Sequence, residues 1–338
     1  MKVTTVGLDL AKSVFTVHGV DEHGKTVLRK TVRRAKLLEL FAQLPSCVVG
    51  MEACSGAQHW ARQLLKLGHV PKIMAAEFVE PYRHGGKNDS NDAAAICEAV
   101  SRPKMRFVPL KSVEQQAVLA VHRLRQGLVE ERTALANRLR GLLCEYGVVI
   151  GVGLDRLRRI LPEILEDGDN GVPGIAREVF ADATRQLAEL DTRIADYDRR
   201  IATLARASDP AQRLMKLEGI GPVTATAIVA SVGDAKVFRN GRQFAAWLGL
   251  TPRQHSTGGK QRLGAITKHG DVYLRTLLIH GTRAVLRVTP KRADAKSRWV
   301  ERLRHRRPDN VAAVALAAKH ARIIWSLLAR EQDYRTAS

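Results

Sequence analysis

The chain has 338 residues, 45% hydrophobic and 26% charged, a length suited to two or three domains and a composition that excludes global disorder. Lys and Arg number 55 against 34 Asp and Glu, a net charge of +21, which points to a polyanionic partner. The excess is uneven: residues 1–110 carry 16 basic and 10 acidic groups, 111–206 carry 15 of each, and 207–338 carry 24 and 9. The last third is therefore predicted to hold the nucleic-acid surface.

Cys47, Cys54, Cys97 and Cys144 form no CxxC pair and no zinc spacing, and are read as bystander thiols of a reducing compartment. The start, Met1 to Asp9, has no signal-peptide core. The best apolar stretch, Val311 to Ala329, is interrupted by Lys319, His320 and Arg322, so no membrane span is expected. These features predict a cytoplasmic protein acting at the nucleoid.

In chain order, residues 3–10 read as a strand ending in an acid, 14–20 as a second strand, and 26–32 as a third after the Asp21–Gly24 turn. Residues 35–44 have helical spacing, 47–51 form a short apolar strand entering Glu52, and helix 57–67 leads to strand 70–74. Antiparallel strands followed by alternating helix and strand predict a mixed sheet covered by helices, the first domain at 1–110. The middle, 111–206, reads as helical. From Ala117 to Tyr146 the apolar positions Val121, Leu124, Leu128, Leu135, Leu139 and Leu142 keep a helical period, with Arg132 the polar exception. Residues 147–174 are glycine-rich and read as a break. From Ala176 through Phe180, Leu187, Leu190, Ile194 and Ile201 to Leu204 the steps alternate four and three, which predicts a coiled coil within or between chains. Residues 207–338 open on the helix-start signal Ser208-Asp209-Pro210 and read as a helical third domain.

Four acids stand where metal chemistry would use them. Asp9 ends the first strand, Glu52 follows a later one, and Asp89 and Asp92 lie three apart in a segment read as helical. Neighbouring strand ends are about 4.8 Å apart, and residues i and i+3 share a helix face. Hard oxygen ligands suit Mg²⁺, and two such ions can assist both the attacking and the leaving oxygen of a phosphodiester. Singly, each acid has a plain alternative as a turn, helix-start or N-cap residue. Their order is that of an RNase H-like domain, resembling the RuvC-like variety.

Two motifs mark the basic third. Leu217-Glu218-Gly219-Ile220-Gly221-Pro222-Val223-Thr224-Ala225 resembles a helix-hairpin-helix, in which Gly219, Gly221 and Thr224 would meet a DNA phosphate; an ordinary helix–helix turn is the alternative. Farther on, Ser256 lies in a polar loop among Arg253, Lys260 and Arg262, followed by Lys268. A hydroxyl among phosphate-binding cations could act as a nucleophile once activated. His255 is a surface residue or a proton shuttle, and Thr257 a neighbouring hydroxyl.

Together the Gly7-Leu8-Asp9, Met51-Glu52-Ala53, Lys87-to-Ala93, Gly219-Ile220-Gly221, Ser256-Thr257-Gly258-Gly259 and Gly270-to-Arg275 segments resemble the DEDD-type insertion-sequence transposases. That family joins a RuvC-like domain to a serine-bearing transposase domain. The resemblance implies that Asp9, Glu52, Asp89 and Asp92 bind Mg²⁺ and that Ser256 forms a 5′-phosphoserine link with DNA. It further implies donor and target DNA as partners, a structured non-coding guide RNA, and a homo-oligomer (dimer or tetramer). A junction resolvase using the acids without covalent serine chemistry is the alternative function; a non-enzymatic nucleic-acid-binding protein is the third.

Overall fold

The computed structural model describes residues 2–86, 88–291 and 294–334. They form two compact units, Met1–Ser112 and Val113–Ser338. In the first, β1 (Thr5–Asp9), β2 (Val14–Val20) and β3 (Thr26–Arg33) precede α1 (Leu37–Ala42), β4 (Val48–Glu52), α2 (Ala57–Lys66) and β5 (Val70–Met74). Helices α3 (Ala76–Val79) and α4 (Asp89–Val100) and the two-residue β6 (Phe107–Val108) complete it. The sheet order is β3-β2-β1-β4-β5-β6. β1 runs antiparallel to β2 and parallel to β4, and β5 continues the parallel set. The predicted mixed α/β sheet is present; β6, too short for a periodic signal, was not expected.

Period-two alternation divides the two faces of this sheet. Val6, Leu8, Phe15, Val17, Val49 and Met51 point into a core with Leu37, Phe41, Trp60 and Leu64 of α1 and α2. The opposite face carries α4. A Cβ on Gly7 would lie 2.0 Å from the Ala93 carbonyl, and one on Gly50 would lie 2.9 Å from Val100 Cβ. These two glycines let α4 rest directly on the sheet.

The second unit begins with two long helices, α5 (Val113–Cys144) and α7 (Gly174–Arg206). They run antiparallel, because Arg125 pairs with Asp198 at 2.6 Å and Arg132 with Asp191 at 2.9 Å. Arg132, out of place in an apolar stripe, thus has an acid facing it. Phe180, Leu187, Leu190, Ile194 and Ile201 of the α7 seam are buried as expected, but on α5 Leu124 and Leu142 are exposed and Ala136 and Leu143 are buried instead. Between them, within the segment read as a break, lies α6 (Leu154–Glu166). Its Leu157, Leu161 and Ile164 recur at helical spacing and are buried in the same core; glycines on both sides had masked a short amphipathic helix.

The remainder comprises α8 (Asp209–Met215), α9 (Pro222–Val232), α10 (Gly241–Trp247), the strands β7 (Pro252–Gln254) and β8 (Leu263–Ile266), α11 (Val272–Leu286), α12 (Ala295–Arg304) and α13 (Asp309–Ala329). Ser208 caps α8 by accepting from the Ala211 amide, as its sequence signalled. The all-helical expectation is corrected by the β7–β8 hairpin. α13 corrects another reading, since it is long and apolar enough, by length and composition, to cross a membrane. Its Leu316, Ala317, Ala321, Ile324 and Leu327 are buried in the unit's cores, which accounts for its hydropathy.

Candidate active site

The parallel register pairs Leu8 with Met51, so the next residues, Asp9 and Glu52, leave adjacent strands at the same end. Each follows its pedestal glycine by two positions and therefore stands on the α4 face. Ala93 lies over Gly7, so the turn before it carries Asp89 and Asp92 to this strand end. Asn88, not Asp89, caps α4 by accepting from the Asn91 amide at 2.9 Å. The sheet and one helix end thereby gather four carboxylates.

Asp9 registers that gathering. Its carboxyl is pushed up to about 6, first by burial and then by the negative charges of Asp89, Asp92 and Glu52, against the Leu10 amide that favours the anion. A divalent cation would relieve this repulsion, and an all-oxygen donor set suits Mg²⁺ rather than a softer ion. Among the described residues no group of three or more His, Cys, Asp or Glu side chains is placed so that it could hold a metal ion. Bare carboxylates repel one another, and Asp92 is engaged by Arg83 at 3.4 Å. The acids fit a divalent ion in number and chemistry, and would have to draw together around it. Arg83 was not legible as a site residue, since it stands outside every motif. Lys87 lies outside the described residues.

The serine belongs to the second unit. β7 and β8 are antiparallel, and Thr257 and Lys260 form a bridge closing their loop. Gly258 and Gly259, with φ of +56° and +75°, occupy the two central positions, the left-handed pair that a type I′ hairpin turn requires. Ser256 Oγ accepts from Gln254 Nε2 at 2.9 Å and from the Arg262 amide at 3.3 Å. Ser256, Arg253, Lys260 and Arg262 are all exposed on this ribbon, as is Lys268 beyond it at a positive φ of 59°. Below the ribbon, Arg275 is buried and donates from Nη1 to the carbonyls of Leu248 and His269 at 3.1 and 3.3 Å. Asp271 caps α11 through the Leu274 amide. The Gly270–Arg275 segment thus anchors the ribbon's base.

The turn from α8 to α9 contains the two hairpin glycines in different settings. Gly219, at φ +79°, is held against α11, where a Cβ would lie 2.7 Å from the Gly281 carbonyl; packing alone demands glycine there. Gly221 opens α9 with nothing within 4 Å of a built Cβ. Thr224 is 6% exposed, so its side chain is buried rather than offered to a phosphate. Nearby, His122 of α5 bridges Tyr273 Oη at 3.0 Å and Thr226 Oγ1 at 2.9 Å. This buried relay ties α5 to the starts of α9 and α11, and no sequence motif announced it.

Comparison with known proteins assigns the chain. A family model described as "Transposase IS116/IS110/IS902 family" matches residues 211–297, and a DEDD transposase model matches residues 6–148. The "Probable family 20 transposase" of Pseudomonas aeruginosa is 53% identical over 336 residues, covering 99% of both chains. The "Transposase for insertion sequence element IS1111A" of Coxiella burnetii is 44% identical, over 98% of this chain and 92% of the relative. The "Transposase for insertion sequence element IS1328" of Yersinia enterocolitica is 38% identical over 96% of each. With such identity along almost its whole length, the chain belongs to the IS116/IS110/IS902 family of insertion-sequence transposases.

Proposed function

We propose that this transposase moves an insertion element by cutting and rejoining DNA, with Asp9, Glu52, Asp89 and Asp92 as the Mg²⁺ ligands and Ser256 as the nucleophile. The observation that carries the reading is the electrostatic coupling of Asp9 to the other three acids at one strand end. When bound, Mg²⁺ supplies charge stabilisation to a phosphodiester undergoing substitution. Ser256 Oγ attacks phosphorus, its proton passing to a base; the P–O3′ bond breaks and the 3′ oxygen leaves as a hydroxyl after taking up a proton. The 5′ phosphate remains esterified to Ser256. Attack by another 3′ hydroxyl reverses the step and rejoins DNA without ATP, because one phosphodiester has been exchanged for another.

The exposed ribbon supports this role: Gln254 and the Arg262 amide fix the hydroxyl, while Arg253, Lys260, Arg262 and Lys268 supply phosphate-binding charge. Gly221 and the first amides of α9 offer a further backbone contact of helix-hairpin-helix type, beside the packing role of Gly219. Arg-rich, sequence-neutral contacts suit a protein whose target choice comes from a paired non-coding RNA. A homo-oligomer and action at the nucleoid belong to the same reading; the α7 seam is occupied by α5 and α6 of its own chain, so assembly would use another surface.

The test is a denaturing-gel assay for protein attached to a DNA 5′ end, using the element's own ends. Wild type is expected to give a Mg²⁺-dependent adduct, Ser256→Ala to give neither adduct nor cleavage, and Asp9→Asn to abolish both. Cleavage that survives Ser256→Ala would instead mark a resolvase-type nuclease.

A further inference from the structure

Arg83 follows the short segment after α3 and reaches back over the start of α4. Its guanidinium lies 3.4 Å from Asp92 Oδ1 and 3.8 Å from Glu80 Oε1. The Arg83 and Asp92 side chains are 27% and 20% exposed, so this pair sits lower than an ordinary surface ion pair. The loop carrying it is fastened to the same helix turn: Asn91 donates its side-chain amide to the Gly86 carbonyl at 2.8 Å, and its backbone amide donates to Asn88. Both partners are therefore positioned by one piece of backbone. Guanidinium does not lose its proton in proteins. A divalent ion taking Asp92 Oδ1 as a ligand at about 2 Å would meet a fixed positive charge already facing that oxygen.

We propose that Arg83 is an internal counter-ion of the acid cluster, a positioning residue that holds Asp92 in the metal-free protein and is displaced from it when a divalent cation binds. The proposal rests on the metal-binding reading of the four acids. It assigns Arg83 a sign: the guanidinium competes with the metal. A purely structural ion pair that held Asp92 ready for the metal would have the opposite sign. Displacement also leaves a fork-shaped cation beside the metal site, where a phosphate oxygen of the substrate would arrive.

The experiment measures Mn²⁺ binding to metal-stripped, full-length protein by the electron paramagnetic resonance signal of free Mn²⁺. Arg83→Gln is expected to tighten Mn²⁺ binding about threefold to tenfold, the effect of deleting one charge roughly 6 Å from a divalent ion in a solvent-screened site. Arg83→Lys, which keeps the charge, should stay within about twofold of wild type. Unchanged or weaker binding by Arg83→Gln overturns the proposal. In wild type itself, adding Mg²⁺ should accelerate hydrogen exchange at Arg83 Nη1, the atom that donates to Asp92; unchanged exchange at saturating Mg²⁺ also overturns it, even if the variants fold poorly. A wild-type protein that binds no Mn²⁺ overturns both this inference and the metal reading, whereas normal wild-type binding with no gain in Arg83→Gln overturns this inference alone.

Discussion

The acid cluster and the serine ribbon are built on opposite principles. The acids stand on a buried sheet, with α4 pressed onto Gly7 and Gly50 so closely that no side chain fits between. Ser256 stands on a two-stranded ribbon whose residues 252–265 are all exposed. An isolated hairpin is only marginally stable in water, so the ribbon relies on its turn and on the Arg275 anchor. One site is fixed by packing and strained by charge; the other is free of strain and held by few bonds. Substitutions should therefore damage the first through the fold and the second through chemistry and binding.

The largest expected effect is on packing. Gly7→Ala sets a methyl 2.0 Å from a backbone carbonyl, and should destabilise the first unit by about 3 kcal/mol or more, seen as an early transition in a calorimetric scan. Gly258→Ala at the ribbon tip meets nothing within 4 Å but retains a positive φ, and should cost about 1 kcal/mol locally, leaving both thermal transitions in place. Equal effects of the two substitutions would erase the contrast between the sites.

Acid should move the two units in opposite directions. His122 and His320 are fully buried, and both are pushed down to about 4, by burial first and then chiefly by Arg125 near His122 and Lys296 near His320. Between pH 6.5 and 4 the unfolded chain binds more protons at these sites, so their contribution is complete above 6.5 and is lost as pH falls through that window, to a limit of about 3 kcal/mol each. Asp9, raised to about 6, has the reverse linkage: the folded state binds the extra proton, and its contribution is present below about 4 and lost as pH rises through 6. Hydrogen exchange resolved by unit should therefore show the second unit opening more readily at pH 5 than at pH 7, with the Asp9 strand end better protected. Parallel changes in both regions would contradict this.

The smallest effects belong to the ribbon's cations. Arg253→Ala, Lys260→Ala and Arg262→Ala should each weaken binding to a DNA duplex several-fold and lower the salt slope by about one unit, with no change in thermal stability. A slope that stays at the wild-type value in all three would place the DNA contacts elsewhere.

The first unit was largely legible because its strands alternate cleanly and end in acids: Val6 and Leu8 before Asp9, Val49 and Met51 before Glu52. What the two glycines do was not legible, since a close approach between a strand and a helix distant in sequence leaves no local periodicity. Arg83 was hidden although it is only nine residues from Asp92, because it stands outside every motif. In the second unit the Gly258-Gly259 pair is itself a hairpin signal, but the polar residues around it read as a loop. The glycines flanking α6 concealed a helix whose only marker is the spacing of Leu157, Leu161 and Ile164. On α5 the apolar stripe is real, yet its partner α7 covers a face rotated from the one that Leu124 and Leu142 suggest. His122 sits fully buried because Tyr273 and Thr226 satisfy both ring nitrogens, a pairing that spans more of the chain than any motif.

The most direct test is the titration of Asp9 in full-length protein carrying carboxyl-labelled aspartate, followed by carbon NMR with and without Mg²⁺. The convergence of four carboxylates on one cation predicts a midpoint near 6 in the metal-free protein and a large fall at saturating Mg²⁺, with Asp89→Asn and Asp92→Asn each lowering the metal-free value. An Asp9 that titrates as an ordinary exposed carboxyl, unmoved by Mg²⁺ or by either substitution, would contradict it.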